Sequence, residues 1–444
     1  MSKGFPTSHD RRRRRTARAS QCGVWAAVLI LVSSGAAFAQ ILAPHRHPTL
    51  TLREAAARRT FLVGTAADAD DLPWVPDPLN VPEYASTLGE QYSMLSPENA
   101  LKWPIVHPAQ DAYNFEPANQ LVAFAQAHSM QIRGHNLCWD MDNPEWLNVL
   151  AASARPPDMA QLLENHIETV MSQYRGTVFA WDVVNEAISD SASGIGTDMR
   201  DSIWYDQPGI GLSGTGYVEQ AFRWARAADP DALLFYNEYG IEDTGPKFEA
   251  LYNMLQDFVS RGVPIDGVGF QMHIDTTGYP STAGLTENIA RIAALGLQVQ
   301  ITEMDVRLPV NSNGQATAAD LQAQAATYQR ILTACLKAPS CTAFQTWEFS
   351  DNYSWIPAYF PGFGAALPFD QNYLGKPAFS ALLGALQTNA PVSRTASAVE
   401  EPGDLDAASR AWRAKPAEYQ SSRGSRYMVP YSVTNQSGAT MAVK

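Results

Sequence analysis

The chain has 444 residues, 45% of them hydrophobic, which is ample for a substantial core and excludes a disordered polypeptide. A formal net charge of −13 argues against a phosphate-backbone partner, and the one basic run, Arg11 to Arg15, is terminal, so no nucleic acid is expected. Four Cys and eight His fall in no metal-ligand spacing, so neither metal nor cofactor is expected. Eleven Trp is a generous supply, and indole faces suit sugar rings and ligand clefts as well as cores.

In chain order, Arg11 to Arg15, the apolar run Val24 to Val32 and Ala37-Phe38-Ala39 read as the charged, apolar and cleavage regions of a signal peptide over residues 1–39. The apolar run is too short to span a bilayer comfortably. A secreted or periplasmic location follows, without a stable membrane anchor after cleavage, and the export route stays open. Cys22 leaves with this leader. Cys335 and Cys341 flank Pro339 at a spacing that can close a small loop as a disulfide. Cys138 sits in an apolar stretch and reads as a buried thiol.

Strand candidates then alternate with helices at apolar period 3.6. Phe61 to Ala66 open the series, followed by a helix over Tyr84 to Gln91 and a strand over Tyr92 to Leu95. The pattern repeats with helix 121–128 and strand 130–135, and with helix 162–174 and strand 178–186. It continues with helix 217–228 and strand 232–238, helix 248–261 and strand 267–271, and helix 285–295 and strand 297–303. Helix 319–336, strand 342–347 and helix 378–386 close the count. Eight such units predict an α/β fold, a (β/α)8 TIM barrel over residues 40–388. Beyond Gln387 the composition turns polar, and residues 389–444 read as a flexible tail.

Active groups of such a barrel stand at the C-terminal strand ends. There the chain places Glu98, Asn99, Lys102, His135, Trp139, Asn185, Glu186, Asn237, Tyr239, Gln271, His273, Glu303, Asp305, Trp347 and Trp355. Two glutamates, Glu186 and Glu303, end strands four and seven. A carboxylate at a buried strand end costs several kcal/mol unless paired or neutralised. Either glutamate alone reads best as a salt-bridged group, whereas two in one ring of amides, imidazoles and indoles suit attack on an acetal. Carboxyls about 5–5.5 Å apart give retention, and a gap of about 6.5–9.5 Å gives inversion.

Several motifs resemble glycoside hydrolase family 10, the retaining endo-1,4-β-xylanases. They are Pro97-Glu98-Asn99-Ala100-Leu101-Lys102-Trp103, Arg133-Gly134-His135-Asn136-Leu137-Cys138-Trp139, Trp181-Asp182-Val183-Val184-Asn185-Glu186 and Ile301-Thr302-Glu303-Met304-Asp305-Val306. Phe369 to Tyr373 with Lys376-Pro377-Ala378 resemble the closing segment, and Cys335 and Cys341 fall where many members carry a short-loop disulfide. Each motif is modest alone; their shared order and spacing are highly specific.

The resemblance implies Glu303 as nucleophile and Glu186 as acid and then base. Asn185 would bond the sugar 2-hydroxyl, with Gln271 nearby, and His273 would bridge Glu303 and Asp305. Glu98, Asn99, Lys102, His135 and Trp139 would line the glycone side, with Tyr239 a further contact and Trp347 and Trp355 as roof. Trp74, Trp146 and Trp204 read as structural. The substrate partner would be a xylan-type polysaccharide or oligosaccharide, and the enzyme a monomer. The chain departs from the family at Asp140 and Asp142, in place of His and Gln, and at Glu348, in place of Gly. Pro104 stands where an acid often follows, and Glu238-Tyr239-Gly240 replace Asp-Tyr-Asn. Three added acids near the glycone pocket leave open another β-glycan or a plant glycoside as substrate; a catalytically silent sugar-binding barrel is the third reading.

Overall fold

The computed structural model describes residues 50–388 apart from 71, 73–76, 197 and 206–208, and in addition 432–434 and 440–442. The leader over 1–39, Trp74 and most of 389–444 lie outside the described residues. Eight parallel strands make the framework: β1 Leu62–Ala67, β2 Met94–Pro97, β3 Gln131–Cys138, β4 Val178–Asn185, β5 Leu233–Glu238, β6 Gly267–Phe270, β7 Gln298–Pro309 and β8 Cys341–Thr346. Neighbours pair in sequence order, and β8 returns to β1 with Leu62 opposite Ala343 and Thr65 opposite Thr346. The sheet therefore closes into a (β/α)8 barrel. Each strand is buried almost throughout, as a parallel sheet covered by helices requires.

One helix, α1 Leu52–Ala57, precedes β1, and one follows each strand in turn: α2 Pro82–Gln91, α3 Glu116–Ala127, α4 Pro156–Gln173, α5 Gly216–Ala228, α6 Pro246–Ser260, α7 Thr282–Ala294, α8 Ala318–Lys337 and α9 Pro377–Thr388. Their starts are marked locally. Thr51, Ser281 and Thr317 accept the third amide of their helices, and Pro opens α2, α4 and α6, where a missing N–H costs nothing. None of the described helices is long and apolar enough to cross a membrane.

The main core lies between strands and helices. A separate cluster of Leu62, Met94, Phe179, Ala180, Phe235 and Ala343, drawn from five strands, plugs the barrel interior. Cys335 and Cys341 form a disulfide joining the end of α8 to the start of β8, and Cys138 is a buried free thiol.

Strand β7 runs six residues past Glu303. The extension has partners: Asp305, Val306 and Arg307 pair with a short strand His273–Asp275, and Leu308 and Pro309 with Phe363–Gly364. A helix at Glu145–Ala151 is absent from the sequence-based reading; it is too short for its periodicity to stand out. Ser432–Thr434 and Thr440–Ala442, within the segment read as a flexible tail, pair antiparallel.

Candidate active site

The floor of the site is a buried charge cluster inside the barrel. Register sets His135 on β3 beside Asp182 on β4. Asp182 accepts from the Arg133 guanidinium and, at 3.0 Å, from His135 Nδ1. Arg133 also donates to Gln300 Oε1 at 2.6 Å and lies over the Phe235 ring. Burial alone would raise the Asp182 carboxyl, but the charge of Arg133 and the bond to His135 hold it below the usual range. Gly134 is required here. A Cβ on it would sit 2.2 Å from the Trp181 indole of the neighbouring strand.

Above this floor stands Glu303, only 4% exposed. Its Oε1 accepts from Asn237 Nδ2 at 2.5 Å and its Oε2 faces His273 Nε2 at 3.2 Å. The other imidazole nitrogen meets Asp305 Oδ2 at 2.8 Å, and Trp355 Nε1 donates to that same oxygen at 2.8 Å. Burial pushes Glu303 up; the His273 hydrogen bond and the charges of His135 and His273 outweigh it, and the carboxyl lies below its ordinary value. His273 is carried the other way. Desolvation lowers it, yet Asp305 and Glu303 raise it to about 10, so it is an imidazolium at neutral pH.

Glu186 stands at the end of β4 with φ +58°. Its Oε1 accepts from Gln271 at 2.9 Å and Asn185 at 3.2 Å, and its Oε2 from Trp139 Nε1 at 3.0 Å. Amides link the two glutamates. Asn237 Nδ2, which bonds Glu303, also donates to Asn185 Oδ1 at 2.9 Å, and Gln271 Nε2 reaches that oxygen at 3.2 Å. Parallel register explains it, since Asn185 lies opposite Asn237.

Indoles and a lysine surround the pair. Trp347 packs edge-on to His135 at 5.0 Å, Trp355 to His273 at 5.0 Å, and Lys102 Nζ lies 5.4 Å over Trp139 and 5.8 Å over Trp347. Lys102 donates to Asn99 at 2.8 Å, and Asn99 to Asp68. Buried Glu98, Asp68 and Glu348 form a carboxyl group cluster at the ends of β2, β1 and β8. Desolvation, then mutual repulsion, holds Glu98 and Glu348 well above the usual range, and burial takes Asp68 to about 6. Tyr239 lies on the Glu186 side, its hydroxyl donating to Asp190 and accepting from Arg200.

Glu348 and Asp140, two of the added acids, each have a partner of their own. Glu348 is 1% exposed and accepts the Tyr84 hydroxyl at 2.8 Å. Half-buried Asp140 accepts the Ile203 amide at 3.3 Å and lines a cavity with Asp201 and Ser202 whose lining does not include Glu303. Asp182 and Asp68 are site-building groups that the sequence did not single out, whereas Asn237 stood among the strand-end groups without an assigned partner. A charged Asp inside the apolar run Trp181 to Val184 was the available signal for the first. Among the described residues no group of three or more His, Cys, Asp or Glu is placed to hold a metal ion.

A (β/α)8 barrel with one carboxyl following β4 and another in β7 just past the stretch paired with β6, ringed by amides and indoles, is the architecture of a glycoside hydrolase. The model for glycosyl hydrolase family 10 matches residues 51–385, and the chain belongs to that family. Endo-1,4-beta-xylanase B of Thermotoga neapolitana is 43% identical over 300 residues, which cover 68% of this chain and 82% of the relative. Native xylanase 10B of Thermotoga maritima superposes with a TM-score of 0.70 at 40% identity, over 76% of this chain and 98% of that one. Xylanase 10B of Thermotoga petrophila RKU-1, solved with xylobiose, gives a TM-score of 0.70 at 39% identity, over 78% and 99%.

Proposed function

We propose that this chain is a secreted endo-1,4-β-xylanase that hydrolyses xylan with retention, through a covalent glycosyl-enzyme. Glu303 carboxylate attacks the anomeric carbon as the glycosidic C–O bond breaks, and Glu186 gives its proton to the departing oxygen. Glu186 then takes a proton from water, whose oxygen displaces Glu303 and returns it as carboxylate. Two inversions leave the configuration unchanged.

The observation that carries this reading is the setting of Glu303. Glu303 is buried against a protonated His273, which favours an ionised nucleophile. Asn185 and Gln271 touch Glu186 and each other, a suitable place to bond the sugar 2-hydroxyl. Lys102, Trp139, Trp347 and Trp355 supply the polar and stacking contacts a xylose chain needs, with Glu98, Asn99 and His135 behind them. Xylan is favoured over another β-glycan because Glu348 and Asp140 are already engaged by Tyr84 and Ile203.

Azide rescue tests the roles. Glu303→Gly should yield an α-glycosyl azide and Glu186→Ala a β-glycosyl azide; the reverse pattern would exchange the assignments. Release from xylan but not mixed-linkage glucan, with internal cleavage of linear xylo-oligosaccharides, tests substrate and endo action. An exported protein beginning at Gln40 tests the leader.

A further inference from the structure

One buried charge beside the site has no part in the chemistry above. Glu238 ends β5 with none of its side chain exposed. Its Oε1 pairs with Lys247 Nζ at 2.9 Å and accepts the Tyr239 amide at 3.2 Å. Its Oε2 accepts the Tyr236 hydroxyl at 2.7 Å and the Ile188 amide at 3.2 Å. With its O–H directed at Glu238, the Tyr236 oxygen keeps two lone pairs. They accept the amides of Ala187 at 2.8 Å and Ile188 at 3.1 Å.

Those amides belong to the two residues after Glu186. Glu186 is held at φ +58°, a region where a residue with a side chain persists only if its surroundings impose it. Its own N–H donates to the Asn237 carbonyl at 2.9 Å, and its carbonyl accepts Arg200 Nε at 3.0 Å. Arg200 is anchored by Asp190 and the Tyr239 hydroxyl, and Lys247 reaches Asp190 as well as Glu238. The turn bearing Glu186 is thus clamped to β5 and the start of α6. Burial pushes the Glu238 carboxyl up to about 7, with Lys247 opposing and the charge of Glu186 adding to the rise, so the two carboxyls are within electrostatic reach. A buried ion pair is a poor way to gain stability alone, because apolar residues of similar volume commonly do as well.

We infer that Glu238 is a positioning residue for Glu186: through Tyr236 and directly, it holds the Ala187 and Ile188 amides and so sets where the acid stands relative to the scissile oxygen. This rests on the assignment of Glu186 above. Aligned proton delivery matters in proportion to how poor the leaving group is. A dinitrophenolate departs without a proton from the enzyme, whereas a sugar oxygen needs one.

The experiment compares kcat/KM for xylohexaose and for 2,4-dinitrophenyl β-xylobioside, since this ratio covers binding through the first bond cleavage and excludes hydrolysis of the glycosyl-enzyme. Glu238→Gln and Tyr236→Phe should lower it on xylohexaose by about ten- to a hundredfold, as expected for a group displaced by up to about 1 Å, and on the aryl glycoside by less than about threefold. Tyr236→Phe keeps the ring and the Lys247 pair, so it decides the matter if Glu238→Gln does not fold. Equal losses on both substrates, or no loss on either, overturn the inference. Glu186→Ala is the reference. If it lacks the same split, the assignment of Glu186 fails; if it shows the split and the other variants do not, only the role of Glu238 fails.

Discussion

Replacing His273 by Asn removes the imidazole that bridges Glu303 and Asp305, and the consequence depends on pH. Burial favours the neutral ring, but carboxylates at 2.8 and 3.2 Å raise the imidazole from 6.5 to about 10. A folded-state value above the unfolded one contributes stability that is complete below about 6.5 and lost as pH rises through about 10. At about 1.4 kcal/mol per pH unit, the contribution is on the order of 5 kcal/mol below pH 6, roughly 3 at pH 8 and near zero above pH 10. Urea unfolding of the native chain and of His273→Asn at pH 6, 8 and 10 measures it. The gap between the two should narrow by several kcal/mol across the series. A gap that stays constant would mean that His273 does not titrate between the carboxylates, and the charge arrangement argued for Glu303 would be wrong.

Three further outcomes are expected. Asp182→Ala strands the buried Arg133 guanidinium and should cost about 3–5 kcal/mol in urea unfolding, while Asp182→Leu combined with Arg133→Met should cost less than the single change. Gly269→Ala would place a methyl carbon 2.1 Å from Asn237 Oδ1, pushing aside the amide that bonds Glu303; turnover on xylan should fall about a hundredfold with the fold retained by circular dichroism. Loss of the disulfide, whose cysteines are six residues apart, in Cys335→Ser with Cys341→Ser should lower stability by about 2 kcal/mol by the loop-entropy relation, read from thermal unfolding with no change in KM.

Much of the site was legible because strand ends advertise themselves. Asn185-Glu186 and Glu303 close apolar runs, and in a parallel barrel such ends share one face. The partners of these groups were less legible. Asn237 bonds Glu303 across 66 positions of chain and Asp182 bonds Arg133 across 49, and no local period relates them. The departing acids show the same limit from the other side. Glu348 reads in sequence as an addition to the sugar pocket, but its backbone has φ +62° and its carboxyl turns onto Tyr84, 264 positions away.

Sequence alone determined the repeating strand–helix order and the residues with chemistry to offer, because these depend on period and residue type. Tertiary structure decided what holds each carboxyl and which acids are spent on other partners. Those outcomes depend on burial and on distances of about 3 Å between residues from different strands, which arise only once the barrel closes.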